Sequence, residues 1–489
     1  MKTSLQTVRQ TRIRGGWHVG LTASAGMATR LSGPAARDTL STVDFVCRTR
    51  TADALSGFSQ AAVPPLALLR VVGPTGLTHV TFRQIDKGNA SMKKFAYDVC
   101  VVGGLGHVGL PLGISLANAG KRVVLYDIDK DAIETVSSGK LPFLEIGAKD
   151  VLTKVLGKTL SVTAERSSIS DARFVVLVIG TPVDEHLNPR LSIFQEFLDD
   201  VLDLVHDDQH IILRSTVFPG TTEWIRDYLQ EKGKKARLSF CPERISQGEA
   251  MKELRTLPQI VSAFDDSSAK EAAELFGVLT EDVLFLSPPE AELAKLFNNV
   301  WRYLQFAIAN QFFQIASSHG LDFYRIHEAL TYKYPRARAF PKAGFAAGPC
   351  LFKDTMQLAS YSNNSFFLGH AAMLINEGMP NHIVQLLKAK GPLKDKTVGI
   401  LGMAFKANSD DKRQSLSYKL RKLLAIEAKQ VLCSDVYIQD PTFLQAEELV
   451  DQSDIVILGT PHKEYADLKV PKDKALVDMW DFYKKGSVF

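Results

Sequence analysis

The stretch from Tyr97 to Asp129 leaves the chain few folds. YDVCVVG is an apolar run of strand length, and GGLGHVGLPLGISLANAG continues it as clustered glycines and a helix pattern ending at Gly120. KRVVLYDID is a second strand, with Asp127 at its end. Gly104, Gly106 and Gly109 stand as G-x-G-x-x-G between strand and helix. Strand, glycines, helix, strand and terminal acid together make one βαβ unit with a dinucleotide fingerprint. The glycines let the backbone approach a pyrophosphate at the helix N-terminus, where the dipole favours an anion. Asp127 can accept hydrogen bonds from a ribose 2′-hydroxyl and would repel a 2′-phosphate, so NAD is favoured over NADP.

Further apolar strands follow, each with polar residues just past its end: Thr181-Pro182, Ser215-Thr216 and Cys241-Pro242-Glu243. Ligands bind outside the carboxyl ends of strands in open parallel sheets. Any one of these could be turn or cap chemistry; three in series point to a cleft. A repeat then appears. KTVGILGMAF matches YDVCVVGGLG, KQVLCSDV matches KRVVLYDID, and SDIVILGTP matches VVLVIGTP. A second, smaller Rossmann-like domain therefore runs from about Leu393 to the end. It lacks the full glycine fingerprint and should hold no second dinucleotide. Its first loop, FKANSDDKR, is strongly charged; Lys406 and Arg413 are either phosphate partners or part of a solvated face.

Between the two lies Pro288-Pro289 and a long helical run to Gly320. It is richer in apolar and aromatic residues than one amphipathic stripe needs, which predicts burial between domains or subunits. Glu292, Lys295 and Asn299 share one of its faces. Downstream, GFAAGPCLFKDT (Gly344 to Thr355) places a lone cysteine, Cys350, after small residues. A helix starting near Pro349 sets Lys353 and Asp354 one turn beyond the thiol, and a nearby lysine would favour the nucleophilic thiolate. A lone cysteine is more often a buried structural residue; a neighbouring dinucleotide domain argues for chemistry.

The length of 489 residues suits two to four domains. Residues 1–91 are expected to be a leader or extension, disordered and outside the fold; 92–288 the NAD-binding Rossmann domain; 289–392 a central helical domain with Cys350; 393–489 the second Rossmann-like domain. Residues 1–91 carry nine Arg and two Lys against four Asp, a net of +7, so the remainder of a chain of net +4 is −3. The basic balance thus belongs to the leader and gives no case for nucleic acid. That leader reads either as a transit peptide, implying an organelle, or as an upstream extension before Met92 of a cytoplasmic protein. Five cysteines without a CxxC pair argue against a disulfide framework or zinc site and for a reducing compartment. No apolar run approaches membrane-spanning length.

In order along the chain, GLGHVGLPL, the GTP at Gly180, STVFPGTT, CPERISQG, AELAKLFNN, YPRARAF, GPCLFKD and FKANSDDKRQS resemble the motifs of the UDP-glucose/GDP-mannose dehydrogenase family, from about Tyr97 to Trp480. The resemblance implies NAD-dependent oxidation of the C6 alcohol of a UDP-sugar to a carboxylate by a homodimer or higher homo-oligomer. It implies Cys350 as the nucleophile that traps the aldehyde. Lys295 and Asn299 would stabilise the oxyanion, and Thr216 and Glu243 would help move the alcohol proton. Asp354 with Glu243 would orient the hydrolytic water. It sets Gly104, Gly106, His107, Val108, Gly109, Asp127, Thr181, Ser215, Thr216, Lys353 and Arg413 around the cofactor. Glu243, Lys295, Asn299, Arg336, Gly344, Phe405 and Lys406 would hold the sugar nucleotide, with Arg336 supplied across the dimer. Departures occur at Gln247, Ala347, Ile146 and Ser262, none of which removes a catalytic group. CPER leans toward N-acetylhexosamine-type members and GPCLFKD toward glucose-type members, which leaves the sugar open. Two other readings remain: an altered paralogue that binds nucleotide sugars without turnover, disfavoured by the presence of Cys350, Lys295 and Asp354, and a two-electron Rossmann dehydrogenase, which needs no thiol.

Overall fold

A computed structural model describes residues 68–73, 76–81, 95–180 and 191–484. Its strands are β1 (Leu68–Gly73), β2 (Gly76–Thr81), β3 (Tyr97–Val102), β4 (Val123–Tyr126), β5 (Leu160–Thr163), β6 (Ala172–Leu177), β7 (His210–Leu213), β8 (Arg237–Phe240), β9 (Gln259–Ala263) and β10 (Asp282–Leu286). They form one sheet of order β2-β1-β10-β9-β8-β7-β6-β3-β4-β5, parallel except at β8/β9 and β1/β2. The order reverses at β3, which has β4 on one side and β6 on the other. That reversal opens the crevice in which such sheets bind ligands.

The strand sequences explain the layering. Val99, Val101, Val123 and Leu125 enter one core, while Cys100, Val102, Val124 and Tyr126 enter the other. Alternate residues point to opposite faces, so a strand apolar throughout must be covered on both. Among the covering helices are α1 (Gly109–Asn118), α2 (Lys130–Ser137), α3 (Ala148–Val155), α4 (Leu191–Val201), α5 (Thr221–Glu231), α6 (Ala250–Thr256) and α7 (Asp266–Phe276).

The central region is helical: α8 (Pro288–Ser318), α9 (Phe323–Thr331), α10 (Leu351–Tyr361) and α11 (Phe367–Lys390). A capping box of Ser287 and Glu290, with Pro288 in the first turn, starts α8. One face of α8 buries Lys295, Asn299, Tyr303, Asn310 and Phe313. The opposite face exposes Phe297, Trp301, Ile308, Phe312 and Ile315. Glu292, also buried, faces the start of α5. Its carboxylate accepts from the backbone N–H groups of Gly220 (2.6 Å) and Thr222 (2.8 Å), pinning the start of α5 to α8.

The last part holds β11 (Thr397–Leu401), α12 (Leu416–Glu427), β12 (Gln430–Ser434), α13 (Ala446–Gln452), β13 (Ile455–Leu458) and β14 (Ala475–Val477), in the order β12-β11-β13-β14. This parallel sheet repeats the reversal of the first. Asp435 follows β12 as Asp127 follows β4, but its carboxylate is consumed. It accepts from Met403 N (2.6 Å) and Ala404 N (3.0 Å) and pairs with buried His462 (3.1 Å). A Cβ on Gly402 would lie 2.4 Å from the Thr460 carbonyl, so this loop packs closely against the end of β13.

Two described stretches within residues 1–91 depart from the expectation of a segment outside the fold. LLRVVG and GLTHVT form a hairpin whose first strand pairs in parallel with β10, at Arg70 opposite Asp282. The cause is legible: both runs are rich in strand-forming residues, and β10 otherwise ends the sheet. The cysteines described, Cys100, Cys241, Cys350 and Cys433, are free thiols. Among the described residues no helix is long and apolar enough to cross a membrane, and no His/Cys/Asp/Glu cluster could hold a metal ion.

Candidate active site

The glycine loop after β3 divides its labour. A Cβ on Gly104 would meet the Leu125 Cβ at 2.9 Å, and one on Gly109 would meet the Gly103 carbonyl at 2.5 Å. These two let helix and strand close up. At Gly106 the nearest atom is 3.9 Å away, so its missing side chain leaves room for a ligand. The α1 N-terminus is capped by no side chain, Val108 being its N-cap, and its first turn holds no acid. Leu110 N is given to the Gly106 carbonyl (3.0 Å), and the positive end of the helix dipole suits a pyrophosphate. Asp127 accepts from Leu105 N (2.9 Å) and Ile128 N (2.8 Å), which fixes its carboxylate beside the loop; exposed Ile128 offers an apolar surface next to it. These features fit NAD. Ser215 donates to the Ile179 carbonyl (2.6 Å), and Thr216 is half-buried beside it. Thr181 lies outside the described residues.

His107 connects this loop to the last domain. Its ring packs on Phe143 (4.0 Å) and its Nε2 is 3.9 Å from Asp411. Burial pushes the imidazole below its ordinary value, against Asp411. Asp411 is engaged by Arg413 through both oxygens, the shortest contact being 2.7 Å. Arg413 therefore faces an acid of its own loop in this structure.

The centre of the site is a cavity of about 220 Å³ between α8, the Phe345–Leu351 segment and the second Rossmann-like domain. Lys295, Asn299 and Cys350 line it together, with Phe405, Lys406 and Trp480 contributed by that domain. Two helices set the polar end. Lys295 and Asn299 are one turn apart on α8, and Cys350 is the N-cap of α10. Asp354, on the first turn of α10, accepts from the Asn299 amide (2.6 Å) and pairs with Lys353 (2.9 Å). Burial pushes the Lys295 ammonium below the ordinary lysine value, opposed by Asp354, Cys350 and Glu243.

The thiol departs from expectation. Cys350 is open to the cavity, yet the crowding walls raise its pKa above the ordinary value, and Asp354 adds to this. Lys295, Lys353 and Arg413 pull the other way and are outweighed. A neighbouring lysine does not by itself make a thiolate here, because burial, and after it Asp354 on the same helix turn, outweighs it.

Three expected residues stand behind the lining rather than in it. Asp354 is fully buried, and Thr216 and Glu243 do not reach the cavity wall. Glu243 is held on both oxygens: buried Arg214 bonds one, and the backbone N–H groups of Arg244 (2.7 Å) and Ile245 (3.1 Å) the other. Arg214 also donates to the Cys241 carbonyl (3.0 Å) and Gln259 (2.8 Å) and lies over the Phe276 ring. Arg336 is exposed, bonds the Tyr334 hydroxyl (2.8 Å) and does not line the cavity of its own chain.

The catalytic segment is sealed by residues that local sequence did not single out. Gly344 N donates to Asn310 (2.9 Å), itself bonded to Asn376 (2.9 Å), and a Cβ on Gly344 would strike the Trp480 ring at 2.1 Å. Gly348, at φ +109°, sits against Phe405. Lys406 donates to Ser246 (3.0 Å) and the Gln247 carbonyl, joining the two Rossmann-like units over the cleft. Arg302 also lines the cavity and was missed. Its position three residues past Asn299 and seven past Lys295 was the available signal; Trp480, Arg214 and Asn310 had none.

Comparison with known proteins agrees with this architecture. Three models of the UDP-glucose/GDP-mannose dehydrogenase family match in chain order: its NAD binding domain over residues 97–280, its central domain over 289–377 and its UDP binding domain over 399–485. The chain is 29% identical over 406 residues to a UDP-N-acetyl-D-mannosamine dehydrogenase of Pyrococcus horikoshii, covering 79% of this chain and 96% of the relative. A solved UDP-D-ManNAc dehydrogenase from the same organism superposes with a TM-score of 0.74 at 27% identity, over 80% of this chain and 97% of the other. A UDP-glucose dehydrogenase from Pyrobaculum islandicum does so with a TM-score of 0.73 at 26% identity, over 82% and 98%. The glycine loop, the cysteine-bearing central helices and the second Rossmann-like unit thus occur in the order of one family, and the chain belongs to the UDP-glucose/GDP-mannose dehydrogenases, NAD-dependent oxidoreductases of nucleotide sugars.

Proposed function

We propose that this chain oxidises the C6 hydroxyl of a UDP-N-acetylhexosamine to the carboxylate through an aldehyde held on Cys350. The observation that carries the reading is the single cavity end at which a thiol, a buried lysine and an amide converge. Bound NAD supplies a hydride acceptor for each of the two oxidations. Lys295 and Asn299 donate to the C6 oxygen and stabilise its charge as the proton leaves, a preorganised pair in a site shielded from water. Lys295, its ammonium disfavoured by burial, is also poised to take that proton. Asp354 acts through this pair, holding the Asn299 amide.

Once the aldehyde forms, the Cys350 sulfur bonds to its carbon and the thiol proton passes, by way of Lys295, to the oxygen, giving a thiohemiacetal. Its oxidation leaves a thioester. Water adds to that carbonyl, the carbon–sulfur bond breaks, and carboxylate and thiol are released. Arg214 and the backbone hold Glu243 in place, so its carboxylate shapes the field around Lys295 rather than moving freely.

The N-acetylhexosamine class is preferred because the Pyrococcus horikoshii relative carries that specificity in its name. A glucose-type substrate is favoured by the nearly equal match to the Pyrobaculum islandicum structure. A panel of UDP- and GDP-sugars followed by NADH release decides: kcat/KM should be highest for a UDP-N-acetylhexosamine. Highest turnover of UDP-glucose would reassign the sugar, and no turnover of any member would leave a binding protein.

The assembly is proposed to be a homodimer built on the exposed face of α8. Phe297, Trp301, Ile308, Phe312 and Ile315 recur at spacings of four, seven, four and three, which makes one seam along the helix. Full burial of each such side chain contributes about 1.5–3 kcal/mol, so leaving the seam in water is unfavourable. Sedimentation should give a dimer or a multiple of one; a fully active monomer would contradict this.

A further inference from the structure

Two amides lie in the seam between α8 and α11, where packing alone asks for apolar groups. Asn310 and Asn376 are fully buried, and Asn310 Nδ2 donates to Asn376 Oδ1 (2.9 Å). Phe313 and Met379, each three residues further along its helix, are equally buried. Burying two amides carries a desolvation cost that an apolar pair would avoid. What the amides supply is a directed chain of hydrogen bonds. Gly344 N donates to Asn310 Oδ1 (2.9 Å), and Asn376 Nδ2 donates to the Tyr303 carbonyl (3.1 Å). A backbone N–H can only donate and a backbone carbonyl can only accept, so the two ends dictate how both amides are turned.

Gly344 stands immediately before a wall of the cavity. Phe345 through Leu351 line it without a break, with Cys350 at the start of α10. Among the described residues, two backbone N–H groups tie down the stretch 344–349: Gly344 on Asn310, and Gly348 on the Gln414 carbonyl at 3.4 Å. The bond to Asn310 is the shorter, and it reaches a side chain of a long helix. On its other side Gly344 abuts the Trp480 ring, with no room for a Cβ. A residue fixed on two sides, six positions before the thiol, sets the course of the wall.

We propose that Asn310 is a positioning residue for the reaction: it fixes the Gly344 end of the cysteine-bearing wall, and Asn376 fixes the orientation of its amide. This rests on the reading of Cys350 as the group that holds the aldehyde. A displacement of about 1 Å at a reacting atom costs up to about a hundredfold in rate. An aldehyde that the thiol misses escapes.

The test compares wild type with Asn310→Leu, Asn376→Leu and the double variant, leucine being close to asparagine in shape. Asn310→Leu leaves Gly344 N–H without its acceptor. Its uronate formation should fall about tenfold to a hundredfold, and hydroxylamine present during turnover should collect C6 aldehyde. Alkylation of Cys350 by iodoacetamide, read on its own peptide by mass spectrometry, should quicken about threefold or more. The reason is that a loosened wall admits water to a thiol whose ionisation burial disfavours. Asn376→Leu strands the Asn310 amide N–H but leaves its oxygen on Gly344. It should lower the melting temperature as much as Asn310→Leu, yet turn over within about threefold of wild type with no trapped aldehyde. The double variant strands no side-chain amide, so it should recover most of the melting temperature without recovering the rate. Rates that follow melting temperature across the three variants overturn the proposal. So does a folded double variant with wild-type alkylation of Cys350 and no trapped aldehyde. Iodoacetamide needs no turnover, so a wild type that oxidises no sugar refutes the proposed reaction while the alkylation rates still decide the role of Asn310.

Discussion

Cys350→Ala should make essentially no uronate, with acid formation falling at least about a thousandfold, as when a nucleophile is removed from a covalent mechanism. The reason is positional. The pair that handles the hydroxyl, Lys295 and Asn299, stands on α8, whereas the thiol stands at the start of α10. Removing the thiol leaves the α8 pair and its Asp354 partner intact, so the chemistry of the first oxidation survives. The variant should still bind NAD and nucleotide sugar, and should slowly reduce the C6 aldehyde when given NADH, because that reverses only the first stage. Its folding should be nearly unaffected, since Cys350 opens on the cavity rather than filling the core. Uronate formed by Cys350→Ala at close to the wild-type rate would make the thiol structural.

Lys295→Met should lower kcat by about a hundredfold to a thousandfold, the range for losing one preorganised donor to a developing oxyanion. Methionine keeps most of the side-chain volume, so the buried position stays packed. Asp354 retains Asn299 and Lys353 as partners, so no carboxylate is stranded. KM should move little, because the lysine faces the charge that develops during reaction and not the diphosphate. The variant should also lose reduction of the aldehyde by NADH, which Cys350→Ala keeps. A Lys295→Met enzyme with kcat within about tenfold of wild type would remove the lysine from the chemistry.

Much of this was legible because it is local. The glycine spacing fixed the first βαβ unit, and the acid after its second strand proved to be seated against that loop. The repeat gave the second Rossmann-like unit, while only the structure shows that Asp435 is engaged by backbone and His462 and that Thr460 fills the space beside Gly402. Helical spacing correctly put Lys295 beside Asn299, and Asp354 beyond the thiol. What escaped depended on residues far apart in the chain. Trp480 lies against Gly344 across 136 positions, and no local pattern links them. The clamp of Arg214 on Glu243 requires β7 and β8 to be neighbours. The direction of the Cys350 shift needed the sum of burial and four charged groups, of which helical spacing had placed two, Lys353 and Asp354, beside the thiol. Arg302 was within reach of the reasoning that found Asn299.

The most direct test of the account is the count of NADH formed per molecule of UDP-sugar consumed by wild type, with a carbonyl trap such as hydroxylamine present from the start. A thiol that holds the aldehyde between the two oxidations predicts two NADH per uronate and no trapped aldehyde. One NADH per sugar, with the C6 aldehyde recovered in the trap, would contradict it.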